Sequence, residues 1–295
     1  MSSNALTRSA LFSVRRLQPS LGAEINDVDL RQPLTRALRD AIYSALLQYK
    51  VIFFRDQDID REQHVAFSRA FGELEVNDLI PNADHPEIRQ LKVDGKSKSS
   101  ETDIWHTDNG WRPVPPCASV LRAYTLPSLG GDTLFANAVA AYEGLDDETK
   151  ARIENLHAVQ TALHPSKINN IHPRALEKLR TCAPPVIYPV VRIHPDTSER
   201  ILFVNERYTD HIVGLDRSES DALLRHLTDQ IKRPEYQVRF NWRVHSIAMW
   251  DNRSTQHYGV NDYDEPRHLE RVTVIGTAPI GPLDVRQPHP LPTLQ

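Results

Sequence analysis

The apolar residues in the C-terminal part of this chain come in runs too short for helices. Val186–Ile193, Ile201–Val204, Tyr236–Trp242, Ser246–Trp250 and Arg271–Thr277 are each rich in β-branched or aromatic residues. Short strands with long connections bury their apolar faces by packing sheet on sheet or by curling into a barrel. Three segments carry the other period. Thr35–Tyr49 repeats Leu38, Ile42, Ala45, Leu46 and Tyr49 at helical spacing. Asp60–Phe71 opens with Asp60 and Gln63 in capping-box positions and closes at Gly72, and Arg217–Ile231 has Asp216 and Glu219 as its capping box. Val51-Ile-Phe-Phe54 reads as a buried strand. The fold class is therefore mainly β, a sandwich or barrel with flanking helices outside.

The 21 prolines are scattered rather than gathered into a linker, and no internal repeat is visible. The 295 residues read as one domain. The long polar stretches 73–104 and 160–185 lack strong periodicity and are expected to be loops of the kind that form active-site lids. Residues 1–22 carry Arg8, Arg15 and Arg16 and no acid, as organelle transit peptides do. Strand-like sequence begins near Val14, however, so this segment reads as a loose terminus followed by the first strand.

Composition excludes some classes of function. A net charge of -4 argues against general affinity for nucleic acid. No apolar stretch approaches the roughly 20 residues that span a bilayer. Cys117 and Cys182 are too few and too far apart for a disulfide framework. Both are expected as free, buried thiols in a reducing compartment, the cytoplasm.

The chemistry is concentrated in Trp105-His-Thr-Asp-Asn109. On a strand or strand end, alternation points His106 and Asp108 to one face, so an imidazole nitrogen and a carboxylate oxygen converge. Taken alone, such a pair is as readily a surface feature. Among the 13 histidines, His257 stands out by context, because Trp250-Asp-Asn-Arg-Ser-Thr-Gln-His-Tyr258 runs from an apolar strand through a polar turn into a histidine. Two histidines and one carboxylate on one face of a metal are typical of non-haem Fe(II) oxygenases. Zinc hydrolases use similar sets, but a His-Glu-x-x-His helix is absent from the sequence. Arg267 and Arg271 follow four residues apart. On a strand they face one side, roughly 13 Å apart at ~3.3 Å per residue. Guanidinium groups grip carboxylates through paired hydrogen bonds, so this spacing suggests a dicarboxylate cosubstrate beside the metal.

At these residues the sequence resembles the taurine dioxygenase (TauD/TfdA-like) family of 2-oxoglutarate-dependent oxygenases, over about residues 14 to 280. The N-terminal part matches in Leu21-Gly-Ala-Glu-Ile25, Val28-Asp-Leu30, Val51-Ile-Phe-Phe-Arg-Asp-Gln57 and His64-Val-Ala-Phe-Ser-Arg-Ala-Phe-Gly72. The centre matches in Trp105-His-Thr-Asp108, Leu126-Pro-Ser-Leu-Gly-Gly-Asp-Thr-Leu-Phe135 and Leu202-Phe-Val-Asn-Glu206. The C-terminal part matches in Trp250-Asp-Asn-Arg253, Gln256-His-Tyr258 and the Arg267/Arg271 pair. The resemblance implies a double-stranded β-helix, a cupin-like jelly roll, with residues 1–13 and 281–295 as loose termini. It puts the metal and catalytic triad on His106, Asp108 and His257, with Fe(II) as cofactor and 2-oxoglutarate and O2 as cosubstrates. Thr133 and Arg267 would hold the distal carboxylate of 2-oxoglutarate. Arg271 would sit beside the substrate anion or the cosubstrate's other end. Asp251, Asn252 and Arg253 either orient the ligands or stabilise the turn.

The family's substrate-holding positions fall at approximately Asn77 and Ile80, and after the HTD motif at Asn109. Neither of the first two is the residue that holds taurine, which argues against taurine itself. Trp111 and Tyr208 would add apolar walls. The expected partner is a small to medium, anionic molecule: an alkyl sulfonate, a sulfate ester or a carboxylate. A biosynthetic oxygenase acting on a natural-product or amino-acid scaffold would share every motif, and a metal-binding sensor would share the fold. Relatives commonly form dimers or tetramers, so a homo-oligomer is expected by analogy.

Overall fold

The computed structural model describes residues 7–8, 10–76, 84–95, 102–164 and 173–284. Its helices, in chain order, are α1 (Arg36–Tyr49), α2 (Arg61–Arg69), α3 (Ala138–Glu143), α4 (Asp147–Ile153), α5 (Pro173–Cys182) and α6 (Arg217–Ile231). The first eight strands are β1 (Thr7–Arg8), β2 (Ser13–Arg16), β3 (Ala23–Asn26), β4 (Val51–Phe54), β5 (Arg89–Val93), β6 (Ala118–Thr125), β7 (Thr133–Asn137) and β8 (His157–Gln160). The rest are β9 (Val186–Pro189), β10 (Val191–Ile193), β11 (Arg200–Leu202), β12 (Thr209–Ile212), β13 (Gln237–Phe240), β14 (Ile247–Asp251), β15 (Thr255–Gly259) and β16 (Arg267–Val274).

The three anticipated helices form where their caps lie. Thr35 Oγ1 accepts from Leu38 N at the start of α1. Asp60 and Gln63 cap α2 reciprocally, and Asp216 accepts from Glu219 N ahead of α6. α2 ends at Arg69, with Ala70 as its C-cap, short of the expected Phe71. Gly72 serves a close approach instead: at φ +148, a Cβ there would meet Val274 Cγ1 at 2.9 Å. α3 and α4 are too short to show a period. α5 lies within the stretch expected to be loop, and β5 crosses the other one. Leu179 and Ala183 turn inward at the end of α5 while Cys182 faces out, so Cys182 is exposed rather than buried, and Cys117 is half-buried.

Eight strands form the main sheet, in the order β1-β2-β3-β4-β14-β6-β16-β5, and β13-β7-β15 form a smaller sheet. Alternation splits the main sheet's side chains between two cores. Ile52, Phe54, Val120, Met249, Val272 and Val274 face Ile42, Leu46 and Phe67 of α1 and α2. Val51, Phe53, Leu121, Ala248, Trp250 and Leu269 face Phe135, Val238 and Phe240 of the smaller sheet. This double burial explains why β4 is an unbroken apolar run rather than an alternating one. Phe53 stacks on Phe240 with ring centroids 3.8 Å apart. Among the described residues no ladder joins the two sheets, so they pack face to face without barrel closure.

The expected strand Val186–Ile193 is two strands in different sheets. β9 pairs with β8, and β10 with β11. The change of partner comes after Pro189, which has no N–H to donate to a ladder. β16 begins at Arg267, four residues before the expected start, so both arginines lie on one strand. Among the described residues no helix is long and apolar enough to cross a membrane.

Candidate metal and cosubstrate site

His106 is not on a strand. It forms an isolated bridge with His257 on β15, with His106 N donating to His257 O at 3.1 Å and His257 N to His106 O at 2.8 Å. The chain then turns at Asp108. The bridge and the turn, rather than strand alternation, bring the three donors together. The two imidazole centroids are 4.1 Å apart. Asp108 Oδ1 lies 3.9 Å from His106 Nε2 and 3.6 Å from His257 Nε2. One ligand atom from each residue falls within 4.8 Å of the others, close enough for a single ion to touch all three.

The surroundings orient these donors. His106 Nδ1 donates to the Ile104 carbonyl at 2.6 Å, which leaves Nε2 as the lone-pair nitrogen facing Asp108. The His257 ring is set by packing against Trp250 and Phe135, at 4.8 and 6.1 Å between centroids. Ser119 Oγ donates to Asp108 Oδ2 at 2.6 Å, and Arg271 Nη1 donates to Oδ1. Asn252 clamps the Asp108 backbone. Its Oδ1 accepts from Asp108 N at 2.7 Å, and its Nδ2 donates to the carbonyls of Asp108 and Pro116 at 2.9 and 3.1 Å.

The Asp-Asn-Arg turn therefore divides its labour. Asn252 orients a ligand, whereas Asp251 and Arg253 stabilise the turn. Asp251 accepts from Arg253 Nε and Nη2, both at 2.9 Å, and from His194 Nε2 at 2.7 Å. Arg253 reaches on to Asp196 and Tyr43.

Charge states follow from burial and neighbours. Burial, the charge of His257 and that of Arg207 push His106 well below the usual histidine range. Burial, with Arg271 and Arg207, brings His257 to about 4 despite Asp108. Burial alone would raise Asp108, but Arg271, the two histidines and the Ser119 hydrogen bond overcome it and hold the carboxyl at about 2. At neutral pH the site is one carboxylate and two neutral imidazoles, the forms that bind metal. Two His and one carboxylate from one side match the facial set of non-haem Fe(II) enzymes. The residues present fit iron.

Thr133 and His257 share the inner face of the smaller sheet, since Phe135 lies directly opposite His257 and Thr133 is two residues along. Trp242 Nε1 donates to Thr133 Oγ1 at 3.0 Å, and Arg267 donates twice to Gly131 O, at 3.1 and 2.9 Å. Gly131 is at φ +69, and a Cβ there would come within 3.1 Å of Arg267 Nε, so the glycine lets the guanidinium lie against the loop that leads into Thr133.

Beside Asp108 opens a small inner recess. Arg271, Asn109 and Tyr208 line it with His106 and Asp108. Asn109 also donates to Glu75 Oε2 at 2.8 Å. Tyr208 stands edge-on to His106, 6.4 Å between centroids, and packs with Trp111, Ala162, Leu179 and Ala183. Asn77 and Ile80 lie outside the described residues. Three contributors escaped the sequence reading. Ser119 was hidden in an unrecognised strand. Arg89 sits within the stretch expected to be lid. Arg207 had one available signal, its place beside Tyr208. Both arginines line the inner recess.

The family model described as "Taurine catabolism dioxygenase TauD, TfdA family" matches residues 13–273. An alpha-ketoglutarate-dependent sulfate ester dioxygenase of Pseudomonas putida is 36% identical over 88% of each chain. An alkylsulfatase of Acinetobacter baylyi is 35% identical over 92% of this chain and 87% of its own. Among solved structures, a putative alpha-ketoglutarate-dependent taurine dioxygenase from Burkholderia xenovorans superposes with a TM-score of 0.79, at 37% identity over 92% of both chains.

Proposed function

The chain belongs to the taurine catabolism dioxygenase TauD, TfdA family, whose members are 2-oxoglutarate-dependent non-haem iron enzymes, and from that premise we propose that it hydroxylates a small to medium anionic organic substrate, a sulfate ester, alkyl sulfonate or carboxylate. The observation that carries the substrate class is Arg271. It lines the inner recess and touches the Asp108 carboxylate, so an anion held there sits beside the metal ligands.

His106 Nε2, His257 Nε2 and Asp108 Oδ1 would hold Fe(II). When bound, the iron activates O2 at the cost of 2-oxoglutarate, which leaves as succinate and CO2, and provides the oxidant for a substrate C–H bond. The protein does the rest. Arg267 and Thr133 grip the distal carboxylate of 2-oxoglutarate, Arg271 positions the substrate anion, and the Trp111–Tyr208 cluster excludes water. Hydroxylation of the carbon next to a sulfate oxygen or sulfonate sulfur gives an unstable product. It collapses to an aldehyde and the released anion. The Cys117 and Cys182 thiols support a reducing setting, the cytoplasm.

Succinate release measured over alkyl sulfates, sulfonates, aryloxy acids and amino acids tests the substrate class. Anionic candidates should stimulate it. Stimulation by a neutral scaffold alone would sink the reading.

Arg267→Ala should raise the apparent requirement for 2-oxoglutarate about 10- to 100-fold, the worth of hydrogen bonds to a charged group. An unchanged requirement would move that role to Arg271. Asn252→Ala should weaken Fe(II) binding about 10- to 100-fold, as the loss of groups that orient ligands does elsewhere. Metal titration followed by oxygen uptake reads this directly. Unchanged affinity would mean that the Asp108 turn holds itself.

A further inference from the structure

A second, outer recess adjoins the first, and Asn109 and Arg271 border both. Glu75, Arg112 and Thr273 border only the outer one. The backbone brings Glu75 there: Leu74 bridges Val274, and Glu75 N donates to Thr273 O at 2.9 Å. Its half-buried carboxylate then gathers three donors. Oε2 accepts from Asn109 Nδ2 at 2.8 Å and from Thr273 Oγ1 at 2.7 Å, and Oε1 pairs with Arg112 Nε at 2.6 Å. Glu75 therefore ties the residue that follows Asp108 to the strand that carries Arg271.

A carboxylate only accepts, so the Asn109 amide atom that meets Glu75 is the NH2. Turned over, the amide would set oxygen against oxygen and lose a hydrogen bond to a charged group, which disfavours that orientation about 10- to 100-fold. Among the described residues, Asn109 Oδ1 has no hydrogen-bond partner. The backbone is held as well. Asn109 is at φ +47, and its carbonyl accepts from Arg112 N at 3.0 Å. At Gly110 a Cβ would meet Thr107 Oγ1 at 2.7 Å, so the turn is closely packed. Asn109 thus borders the two recesses with its donor committed on the Glu75 side and its acceptor at the other end of the amide. Arg112 pairs the Glu75 charge, so this wall suits a neutral donor rather than an ammonium.

We propose that Glu75 is a positioning residue that sets specificity through Asn109: it holds the amide so that Oδ1 accepts a hydrogen bond from the substrate beside Arg271. The preferred substrate then carries a hydroxyl within reach of its anionic group. The inference rests on the reading of Arg271 as the substrate-anion contact. It narrows the substrate class from acids in general to acids that bear a hydroxyl.

The test uses protein loaded with Mn(II) and N-oxalylglycine, which do not turn over. Calorimetry compares an alkyl monosulfonate with its hydroxyl isomers and with their methyl ethers, which accept but do not donate. The best hydroxyl isomer should bind about 2- to 10-fold tighter than the parent, the worth of one neutral hydrogen bond, and its ether should show no gain. Asn109→Ala should bring the ratio of hydroxyl isomer to parent toward one. In Glu75→Gln the new amide gives its oxygen to Arg112 and its NH2 to Asn109. That turns the Asn109 amide over, and the ratio should fall likewise while the parent still binds. An undiminished ratio in either variant overturns the proposal. Should a variant not fold, the ligand series on the native protein decides: no gain for any hydroxyl isomer, or an equal gain for its ether, overturns it. Parent binding without a hydroxyl gain leaves the Arg271 reading intact. Failure of every sulfonate to bind removes that reading, and this proposal with it.

Discussion

Asp108→Ala is expected to abolish oxygen-dependent turnover of 2-oxoglutarate. Its Oδ1 stands between the two imidazole Nε2 atoms, at 3.9 and 3.6 Å, and is the one anionic donor of the set. Removing it leaves two neutral imidazoles for the metal. It also leaves the Arg271 guanidinium, which Asp108 now pairs, pointing positive charge at the place a cation should occupy. Both effects act against Fe(II). Disturbing a group that only orients a ligand costs about 10- to 100-fold, so deleting the ligand should exceed ~100-fold. Succinate formation with excess Fe(II) measures this. His106→Ala should lose the same activity without stranding Arg271, which separates loss of the ligand from the fate of the arginine. Normal turnover in either variant would remove the metal assignment.

The second large effect concerns stability. Asp251 is fully buried, and its carboxylate binds His194 and the two ends of the Arg253 guanidinium. Asp251→Ala leaves a buried arginine with Asp196 as its remaining carboxylate, and breaking such a pair from one side costs about 3–5 kcal/mol. Denaturant unfolding at neutral pH should show a loss of that size, while a loss under ~1 kcal/mol would mean that the network is dispensable. The pH dependence has a definite sign. Burial would raise the Asp251 carboxyl, but His194 and Arg253 overcome it and depress the group below its unfolded range. Its ionic contribution is therefore complete above the unfolded value of about 3.9 and is lost as pH falls toward the folded one. The gap between native protein and variant should narrow as the pH drops below about 4.

The parts of the fold that were legible are those with local causes. Thr35, Asp60 and Asp216 cap the helices expected of them because a cap is a contact between residues two or three apart. Val51–Phe54 was readable as a buried strand because all four residues are apolar, and the second core that requires this was not. α5 escaped because its ten residues lie inside a long polar stretch, and β5 because it is a short edge strand fixed by its pairing with β16.

At the site, residue types and chain order were enough to make His106, Asp108 and His257 candidate metal donors and to pair Arg267 with Arg271, and the family resemblance added iron as the expected metal. These are statements about which donors a metal and a dicarboxylate need. The tertiary structure decided how the donors meet. His106 reaches His257 through a bridge across 151 positions of chain, Asp108 is turned by Asn252, and Arg89 comes to face Arg271 across a ladder. None of these contacts has a local signature, because each is set by sheet register, which depends on the two cores the whole chain buries. The chemistry is written in short motifs, whereas the shape and charge of the recess that selects the substrate belong to the assembled sheets.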